Sequence, residues 1–260
     1  MPESDLELLT SVAIKAGDIA GRYWKENPKT WDKPDGAGPV TEADLAVDEM
    51  LRETLLAARP DYGWLSEETE DGPARLSSKR QFIIDPIDGT RAFIDGGRSW
   101  SHSLAVVEDG KTLAGVVFLP MKDKLYTAKL GHGALLNGNA ITASGRSELA
   151  GASVLAGKPS FQDKYWPGGV PAVERHFRPS LAYRLCLVAE GKFDAMIIFR
   201  DSWEWDIAAG ALIASEAGAV MTDREGAGLT FNTPSAKGPG VLAMAPKLAN
   251  PILSARGHRP

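Results

Sequence analysis

Apolar residues recur at helical spacing over residues 5–25 and again after Thr41. In both segments they fall three and four positions apart, which places them on one face of a helix. The second run continues through Leu55 and should end before Pro60, because proline cannot continue a helix. We therefore predict two amphipathic helices that are separated by a polar, Gly/Pro-rich loop over residues 27–39.

Shorter apolar runs in the middle of the chain predict strands, and the predicted ranges are 80–85, 103–107, 113–119 and 124–128. The segment Glu108-Asp109-Gly110-Lys111 is typical of a hairpin turn between the second and third of them. Beyond about residue 145 the pattern changes to alternating elements: strand 152–156, helix 180–191, strand 194–199, helix 206–217 and a strand near 240–244. The order predicts a mixed α/β (α+β) chain with an N-terminal half, 1–145, and a C-terminal half, 146–260. Because no linker separates the halves, we expect one compact unit.

Composition narrows the class of protein. The net charge of -5 and the lack of a basic run argue against a nucleic acid partner. No apolar stretch approaches the roughly 20 residues of a membrane span, and the N-terminus lacks the charged-then-apolar order of a signal peptide. Cys186, the single cysteine, cannot form an internal disulfide and lies among apolar neighbours. These features favour a cytoplasmic protein in which Cys186 is a buried, unreactive side chain.

The segment Asp85-Pro86-Ile87-Asp88-Gly89-Thr90 carries the densest candidate chemistry. It follows the apolar run 82–84, which predicts a buried strand that ends in two carboxylates. The proline fixes the chain direction, the glycine lets the backbone approach a ligand, and the threonine adds a hydroxyl. Such a set could hold hard cations beside a phosphate. A plain Asp/Gly-rich turn is the alternative that these residues leave open.

Acidic residues elsewhere have structural as well as chemical interpretations. Glu67 and Glu68 follow a short apolar step, where a solvated turn is the usual case. Asp206 is placed to interact with a helix N-terminus, where free amides favour a carboxylate. Asp44 follows Thr41 by three residues and fits a capping box. Taken singly, each position is compatible with an ordinary structural role.

Taken together, the motifs resemble the inositol monophosphatase family, within the fructose-bisphosphatase-like superfamily of magnesium-dependent, lithium-sensitive phosphomonoesterases. The blocks that carry the resemblance are Pro39-Val40-Thr41-Glu42-Ala43-Asp44, Ser66-Glu67-Glu68, Asp85-Pro86-Ile87-Asp88-Gly89-Thr90, Gly131-His132-Gly133-Ala134 with Asn137-Gly138, and Trp205-Asp206-Ile207-Ala208-Ala209-Gly210 with Glu216-Ala217-Gly218. Their order and spacing extend from about residue 6 to 245. The resemblance implies a layered αβαβα sandwich of the inositol monophosphatase and fructose-1,6-bisphosphatase type, and a homodimer.

The resemblance also implies roles for individual residues. The metal ligands for two or three Mg²⁺ ions would be Glu67, Asp85, the Ile87 carbonyl, Asp88 and Asp206, with Asp85 bridging two ions. The residues that orient and deprotonate the attacking water would be Glu67, Thr90 and Asp44. The phosphate would be held by the Gly89 and Thr90 amides, with further substrate contacts from Asp206. Lys33 and Glu68 are possible additional members of the site.

The substrate is the less determined part of the resemblance. The family includes inositol monophosphatases, 3'(2'),5'-bisphosphate nucleotidases and histidinol-phosphate phosphatases. Arg91 directly follows the Asp-Gly-Thr triplet, where nucleotidase-like members often have a basic residue, and Arg184 is a further candidate for phosphate contact. The glutamate that contacts sugar hydroxyls in inositol phosphatases aligns by a simple count with Phe199, so Asp201 or Glu204 would have to replace it. We therefore expect a substrate like 3'-phosphoadenosine 5'-phosphate, with inositol 1-phosphate and histidinol phosphate as alternatives.

A function of another class stays open, since some family members resemble regulators that bind RNA polymerase or RNA-processing partners. Such a role requires an interaction surface but no intact set of metal ligands. Every ligand that the resemblance implies is present in this chain. The sequence therefore favours an enzyme that acts on a small phosphorylated metabolite, and a second, regulatory role would leave no signal in it.

Overall fold

The computed structural model describes residues 3–36 and 38–257, so the outermost residues of the two predicted halves lie outside it. The helices are α1 (Asp5–Tyr23), α2 (Glu42–Ala58), α3 (Thr90–Ile94), α4 (Leu181–Ala189), α5 (Glu204–Glu216) and α6 (Ala249–Ala255). The strands are β1 (Thr30–Asp32), β2 (Pro39–Thr41), β3 (Gly63–Ser66), β4 (Arg80–Asp88), β5 (Ser101–Glu108), β6 (Lys111–Leu119), β7 (Lys124–Lys129), β8 (Ala134–Leu136), β9 (Asn139–Ala140), β10 (Ser153–Ala156), β11 (Glu174–His176), β12 (Ala195–Ile198), β13 (Ser202–Trp203), β14 (Val220–Thr222), β15 (Lys237–Gly238) and β16 (Val241–Met244). Among these residues no helix is long and apolar enough to cross a membrane.

The elements stack in five layers, which confirms the predicted αβαβα sandwich. Helices α1 and α2 cover one face of a seven-stranded sheet of order β3-β4-β5-β6-β7-β8-β9. Helices α4 and α5 lie between the other face of that sheet and a five-stranded sheet of order β11-β10-β12-β16-β14. Helix α6 and the Trp166 side chain cover the outer face of the second sheet. The core forms three apolar clusters: one between α1, α2 and the first sheet, one around α4 and α5 between the two sheets, and one on the outer face of the second sheet.

Strand alternation explains how one strand serves two of these clusters. Phe82 and Ile84 of β4 pack toward α1 and α2, whereas Ile83 between them packs toward α4 and α5. Because successive side chains of a strand point to opposite faces, an apolar run such as 82–84 is what a sheet covered on both faces requires. Helix α5 is apolar on nearly all sides for the same reason, since it is enclosed between two sheets.

The packing of α4 against α5 explains the Ala208-Ala209-Gly210 part of the motif. A Cβ atom on Gly210 would lie 2.8 Å from Cβ of Leu185 and 3.2 Å from the carbonyl oxygen of Ala182, both on α4. These distances are shorter than normal carbon contacts, so a larger residue would push the helices apart. Gly210 therefore fixes the position of α5, the helix that carries Asp206, relative to α4.

The predicted helices and strands are observed with small differences at their ends, and Cys186 is buried as predicted. One prediction was wrong. The segment 27–39 is not all loop, because it contains β1 and the start of β2, which pair as an antiparallel hairpin. The region after 244, for which no element was predicted, contains α6. All three residues of β1 are exposed. The strand therefore lacks the alternation of apolar and polar positions from which a strand is predicted.

Candidate active site

Three carboxylates from distant parts of the chain converge at the carboxyl ends of β3 and β4 and the first turn of α5. Oxygen atoms of Glu67, Asp85 and Asp206 all lie within 4.8 Å of one another. Both carboxylate oxygens of Asp85 are buried and have no hydrogen-bond partner among the described residues. Burial and the neighbouring carboxylates raise the pKa of Asp85 well above its usual range, and that of Asp206 likewise. These carboxylates are hard oxygen donors whose negative charges repel one another. A divalent cation bound between them would offset that repulsion, so the set fits such an ion.

The proline in the motif explains why Asp85 and Asp88 can serve one region. β4 pairs with β5 from Arg80↔Glu108 to Asp85↔Ser103, and the register then shifts before Asp88↔Ser101. Pro86 has no amide hydrogen to continue the ladder. Its carbonyl oxygen instead contacts Nδ1 of His102, whose pKa burial lowers to about 4. His102 is therefore neutral near pH 7 and donates from Nδ1 to this carbonyl, which supports the strand at its irregular point.

Asp88 interacts with the N-terminus of α4. Its Oδ2 atom accepts hydrogen bonds from the Ser180 hydroxyl at 2.6 Å and from the Ala182 amide at 2.7 Å, and Oδ1 accepts from the Leu181 amide at 3.1 Å. Burial raises the pKa of Asp88 to about 6 in spite of these donors. Sequence reasoning missed Ser180, because nothing in the sequence indicates that it contacts a residue 92 positions earlier.

Lys33 and Glu68 lie beside the three carboxylates. The Lys33 ammonium group contacts Glu67 at 2.8 Å and Glu68 at 2.7 Å. Burial and the charge of Glu67 raise the pKa of Glu68 to about 7. The Ser66 hydroxyl donates to Asp48 and accepts from the Glu68 amide. The serine therefore helps to hold the turn that presents Glu67 and Glu68.

Thr90 and Asp44 meet at the start of α3. The Thr90 hydroxyl lies 3.3 Å from Oδ1 of Asp44 and 3.1 Å from the carbonyl oxygen of Ile87. Asp44 also forms the predicted capping box with Thr41, and burial raises its pKa to about 6. Gly89 precedes the helix with a φ of 101°, a conformation that favours glycine. The first amides of a helix have no acceptor within the helix, so those of Thr90 and Arg91 are available to an anion.

The residues surround a cavity of about 570 Å³, a volume typical of small-molecule sites. The cavity is lined by Gly38, Pro39, Glu67, Asp85, Asp88, Gly89, Thr90, Arg91, Ala92, Asp95, Gly97, Phe177, Pro179 and Asp206. The walls at 38–39, 95–97 and 177–179 were missed from the sequence, because loop residues of ordinary type give no sequence signal. Arg91 lies in the wall as expected.

Arg184 lies behind the cavity wall rather than in it. Its guanidinium group donates to the carbonyl oxygens of Arg178 and Pro179 and lies 4.2 Å from the ring centroid of Phe177. The residue is largely buried. The predicted phosphate contact is not what this geometry shows, because the group instead supports the loop that forms the wall.

The two acids considered as replacements for a sugar-binding glutamate are both engaged elsewhere. Glu204 is fully buried and accepts hydrogen bonds from Asn232 and Thr233. Asp201 is exposed and forms an ion pair with Arg224 at 2.6 Å. Neither residue lines the cavity within the part of the chain that the structure describes. Phe199 is buried in the outer core of the second sheet.

Comparison with known proteins identifies the family of this chain. A family model described as the inositol monophosphatase family matches residues 1–255. The chain belongs to the inositol monophosphatase family. Inositol-1-monophosphatase of Rhizobium meliloti is 35% identical over 234 residues, which cover 86% of each chain. Histidinol-phosphatase of Chlorobaculum parvum is 32% identical over 233 residues, 85% of this chain and 86% of the relative.

A solved structure supports the same assignment at the level of the fold. The extragenic suppressor protein suhB from Bartonella henselae superposes with a TM-score of 0.82 at 28% identity, covering 96% of each chain. Membership of the inositol monophosphatase family identifies this protein as a phosphoric monoester hydrolase. The acidic cluster described above is a site at which such a hydrolase could hold metal.

Proposed function

We propose that the protein is a magnesium-dependent phosphomonoesterase that hydrolyses a small phosphorylated metabolite with metal-activated water. The observation that carries the proposal is the convergence of Glu67, Asp85 and Asp206, with the Asp85 oxygens buried and unpartnered among the described residues. Mg²⁺ prefers oxygen ligands and keeps several waters. The donor set therefore fits this ion better than Zn²⁺, for which histidine and cysteine are the common ligands.

In this proposal Glu67, Asp85, the Ile87 carbonyl, Asp88 and Asp206 hold the metal ions. The bound ions would supply Lewis acidity and lower the pKa of a bound water. The amides at the start of α3 would orient the phosphate group of the substrate. Lys33 lies within contact distance of Glu67 and Glu68 and would keep these carboxylates in place.

Asp44 is the residue that we propose as the final proton acceptor. Water attacks phosphorus as the ester oxygen departs, the water proton passes through the Thr90 hydroxyl to Asp44, and the departing oxygen takes up a proton. A carboxyl with a pKa of about 6 is mostly ionised at pH 7.5, and general bases work best when their pKa lies near the working pH. The Thr90–Asp44 and Thr90–Ile87 distances allow the hydroxyl to rotate between the two acceptors.

We expect the affinity for Mg²⁺ to rise with pH between about 5 and 8. Carboxylates must lose protons to bind metal, and burial raises the pKa of Asp88 to about 6 and that of Asp85 well above its usual range. When the pH is below such a pKa, Mg²⁺ must displace a proton in order to bind. For each such proton, the apparent affinity falls about tenfold per pH unit of decrease. Calorimetric titration with Mg²⁺ at pH 5, 6, 7 and 8 measures this trend.

Stability without metal should change in the opposite direction. A carboxyl whose pKa is raised on folding stabilises the protein below its unfolded value, near 4, and this contribution is lost as the pH rises through the folded value. For Asp44 and Glu68 the loss falls between about pH 4 and 7. Melting curves in EDTA and in Mg²⁺ should therefore diverge as the pH increases. A magnesium-induced shift that is the same at every pH would contradict the assignment of these carboxyls.

For the substrate, we favour an ester with a second anionic group, similar to 3'-phosphoadenosine 5'-phosphate. Arg91 lies in the cavity wall next to the Asp88-Gly89-Thr90 segment, and neither Asp201 nor Glu204 lines the described part of the cavity. Guanidinium groups are well suited to bind phosphate through two hydrogen bonds. Inositol 1-phosphate and histidinol phosphate are the alternatives, because the relatives compared above carry those names.

Replacement of Arg91 by alanine should separate these substrates. We expect kcat/KM for 3'-phosphoadenosine 5'-phosphate to fall about tenfold or more, and that for a monophosphate ester to fall less, because only the first has a second phosphate for Arg91 to bind. Arg52→Ala, at an exposed position on α2, is the matched control. An equal loss on both classes of ester would contradict the role of Arg91.

A panel of esters tests the reaction itself. Phosphate release should be measured from inositol 1-phosphate, 3'-phosphoadenosine 5'-phosphate, histidinol phosphate and fructose 1,6-bisphosphate, with Mg²⁺ and with Mg²⁺ plus Li⁺. We expect release that requires Mg²⁺ and that Li⁺ inhibits. Release that persists at full rate in EDTA would overturn the metal assignment. If the protein had only a regulatory role, none of the esters would release phosphate, even though every proposed metal ligand is present.

A further inference from the structure

A group of cations lies beside the catalytic cavity with no acidic partner. Arg98 directly follows Gly97, and Arg178 lies between Phe177 and Pro179; those three neighbours line the cavity. The guanidinium group of Arg98 donates to the carbonyl oxygen of Met121, which places it next to Lys122. Within residues 3–36 and 38–257, none of Arg98, Lys122 and Arg178 has a carboxylate oxygen within 4.0 Å. The three therefore concentrate positive charge on a protein whose net charge is -5.

Tyr183 of α4 adds a neutral hydrogen-bond donor to this group. The Lys122 ammonium lies 5.9 Å from the centroid of the Tyr183 ring, and the side chain is only 6% exposed. Burial and the charge of Glu190 raise the pKa of the phenol, so the hydroxyl keeps its proton at neutral pH. The hydroxyl makes no hydrogen bond with any other described residue.

Neighbouring cations show that the lack of acidic partners is local. Lys124 and Lys192 both contact the carboxylate of Glu190, at 2.8 and 3.3 Å. Glu190 is thus already shared by two lysines. Burial, and after it the like charges of Arg98, Arg178 and Lys192, lowers the pKa of Lys122. A bound anion would relieve the repulsion between these like charges.

We propose that Arg98, Lys122, Arg178 and the Tyr183 hydroxyl form a second anion-binding site at the rim of the cavity, which takes a phosphate-class dianion. We call these four residues the rim cluster. The ligand is either the second phosphate of the substrate, for which Arg91 is the other proposed contact, or free inorganic phosphate, since both present the same oxygen acceptors to arginine and lysine. The kinetic part of the test below rests on the proposed phosphatase function, whereas the binding part does not.

Calorimetric titration of the metal-free protein with inorganic phosphate, in EDTA at low ionic strength, tests binding directly. We expect Lys122→Gln and Arg178→Gln each to raise the Kd for phosphate about fivefold or more, and high salt to weaken binding to the wild-type protein. Lys111→Gln is the control for the lysine, because Lys111 lies at the opposite end of β6 from Lys122. Arg52→Gln on α2 is the control for the arginine. Equal Kd values in all five proteins would overturn the proposal.

Steady-state kinetics distinguish the two sources of the anion. If the site takes a second phosphate of the substrate, the rim variants raise KM for 3'-phosphoadenosine 5'-phosphate and leave kcat, and the KM of p-nitrophenyl phosphate, unchanged. If it takes free phosphate, both KM values stay unchanged while phosphate binding is still lost in the rim variants. A protein that hydrolyses no ester refutes the proposed phosphatase function, and the calorimetric result still decides whether the rim cluster binds an anion.

Discussion

Asp85→Asn should reduce metal-dependent phosphate release at least about 1,000-fold and at the same time stabilise the metal-free protein. The loss of activity follows because Asp85 is the central ligand of the proposed site, and metal ions contribute several kcal/mol to such reactions, about tenfold in rate per 1.36 kcal/mol. The gain in stability follows from the two buried oxygens, which have no hydrogen-bond partner among the described residues and lie close to Glu67 and Asp206. An amide removes the charge and can donate to either carboxylate.

The expected gain is about 1–3 kcal/mol in the free energy of unfolding at pH 8 in EDTA, where the carboxylate costs most. For a chain of this size that corresponds to several degrees in melting temperature. Asp109→Asn, in the exposed turn between β5 and β6, is the matched control and should change neither property. A variant that loses activity and stability together would indicate misfolding, and a fully active variant would refute the role of Asp85.

The sequence was sufficient to predict most of the fold, because most elements face a core. Helices α1 and α2 have one buried face, so their apolar period is visible, and the hairpin turn at 108–111 joins two strands whose side chains are largely buried. The hairpin of β1 and β2 escaped prediction because β1 is exposed along its whole length. Such a strand is specified by backbone pairing with β2 rather than by burial.

The candidate site was predictable only in part for a similar reason. Asp85 and Asp88 lie close together in sequence, and the proline between them already indicates an unusual strand end. The convergence of Glu67 and Asp206 on Asp85 depends on how three layers pack, so before the structure it followed from the family resemblance alone. The sequence could not show whether Asp201 or Glu204 replaces the sugar-binding glutamate, because sequence distance does not reveal which partner a carboxylate takes. In the structure both acids are engaged away from the cavity.

Asp88→Asn should also abolish metal-dependent phosphate release, but it should destabilise the protein where Asp85→Asn stabilises it. Asp88 accepts hydrogen bonds from Ser180, Leu181 and Ala182 at the N-terminus of α4, and all of these groups are donors. An asparagine side chain has one accepting oxygen, so its amide nitrogen would face at least one of the donors. The loss of charge-assisted hydrogen bonds should cost about 1.5–3 kcal/mol, which melting in EDTA would show as a decrease of several degrees.

Ser180→Ala separates the structural role of Asp88 from its proposed chemical role. The serine supplies one of the three hydrogen bonds but leaves the carboxylate in place, so we expect a smaller loss of stability and retention of magnesium-dependent phosphate release. If Asp88→Asn retained that release, Asp88 would serve only to bind α4, and the proposed metal site would reduce to Glu67, Asp85 and Asp206. If instead both variants lost release equally, the position of α4 rather than the Asp88 carboxylate would limit the reaction.

A regulatory partner that binds the surface should still bind folded Asp88→Asn protein, so retained binding without phosphate release would reveal a second role beside the enzymatic one.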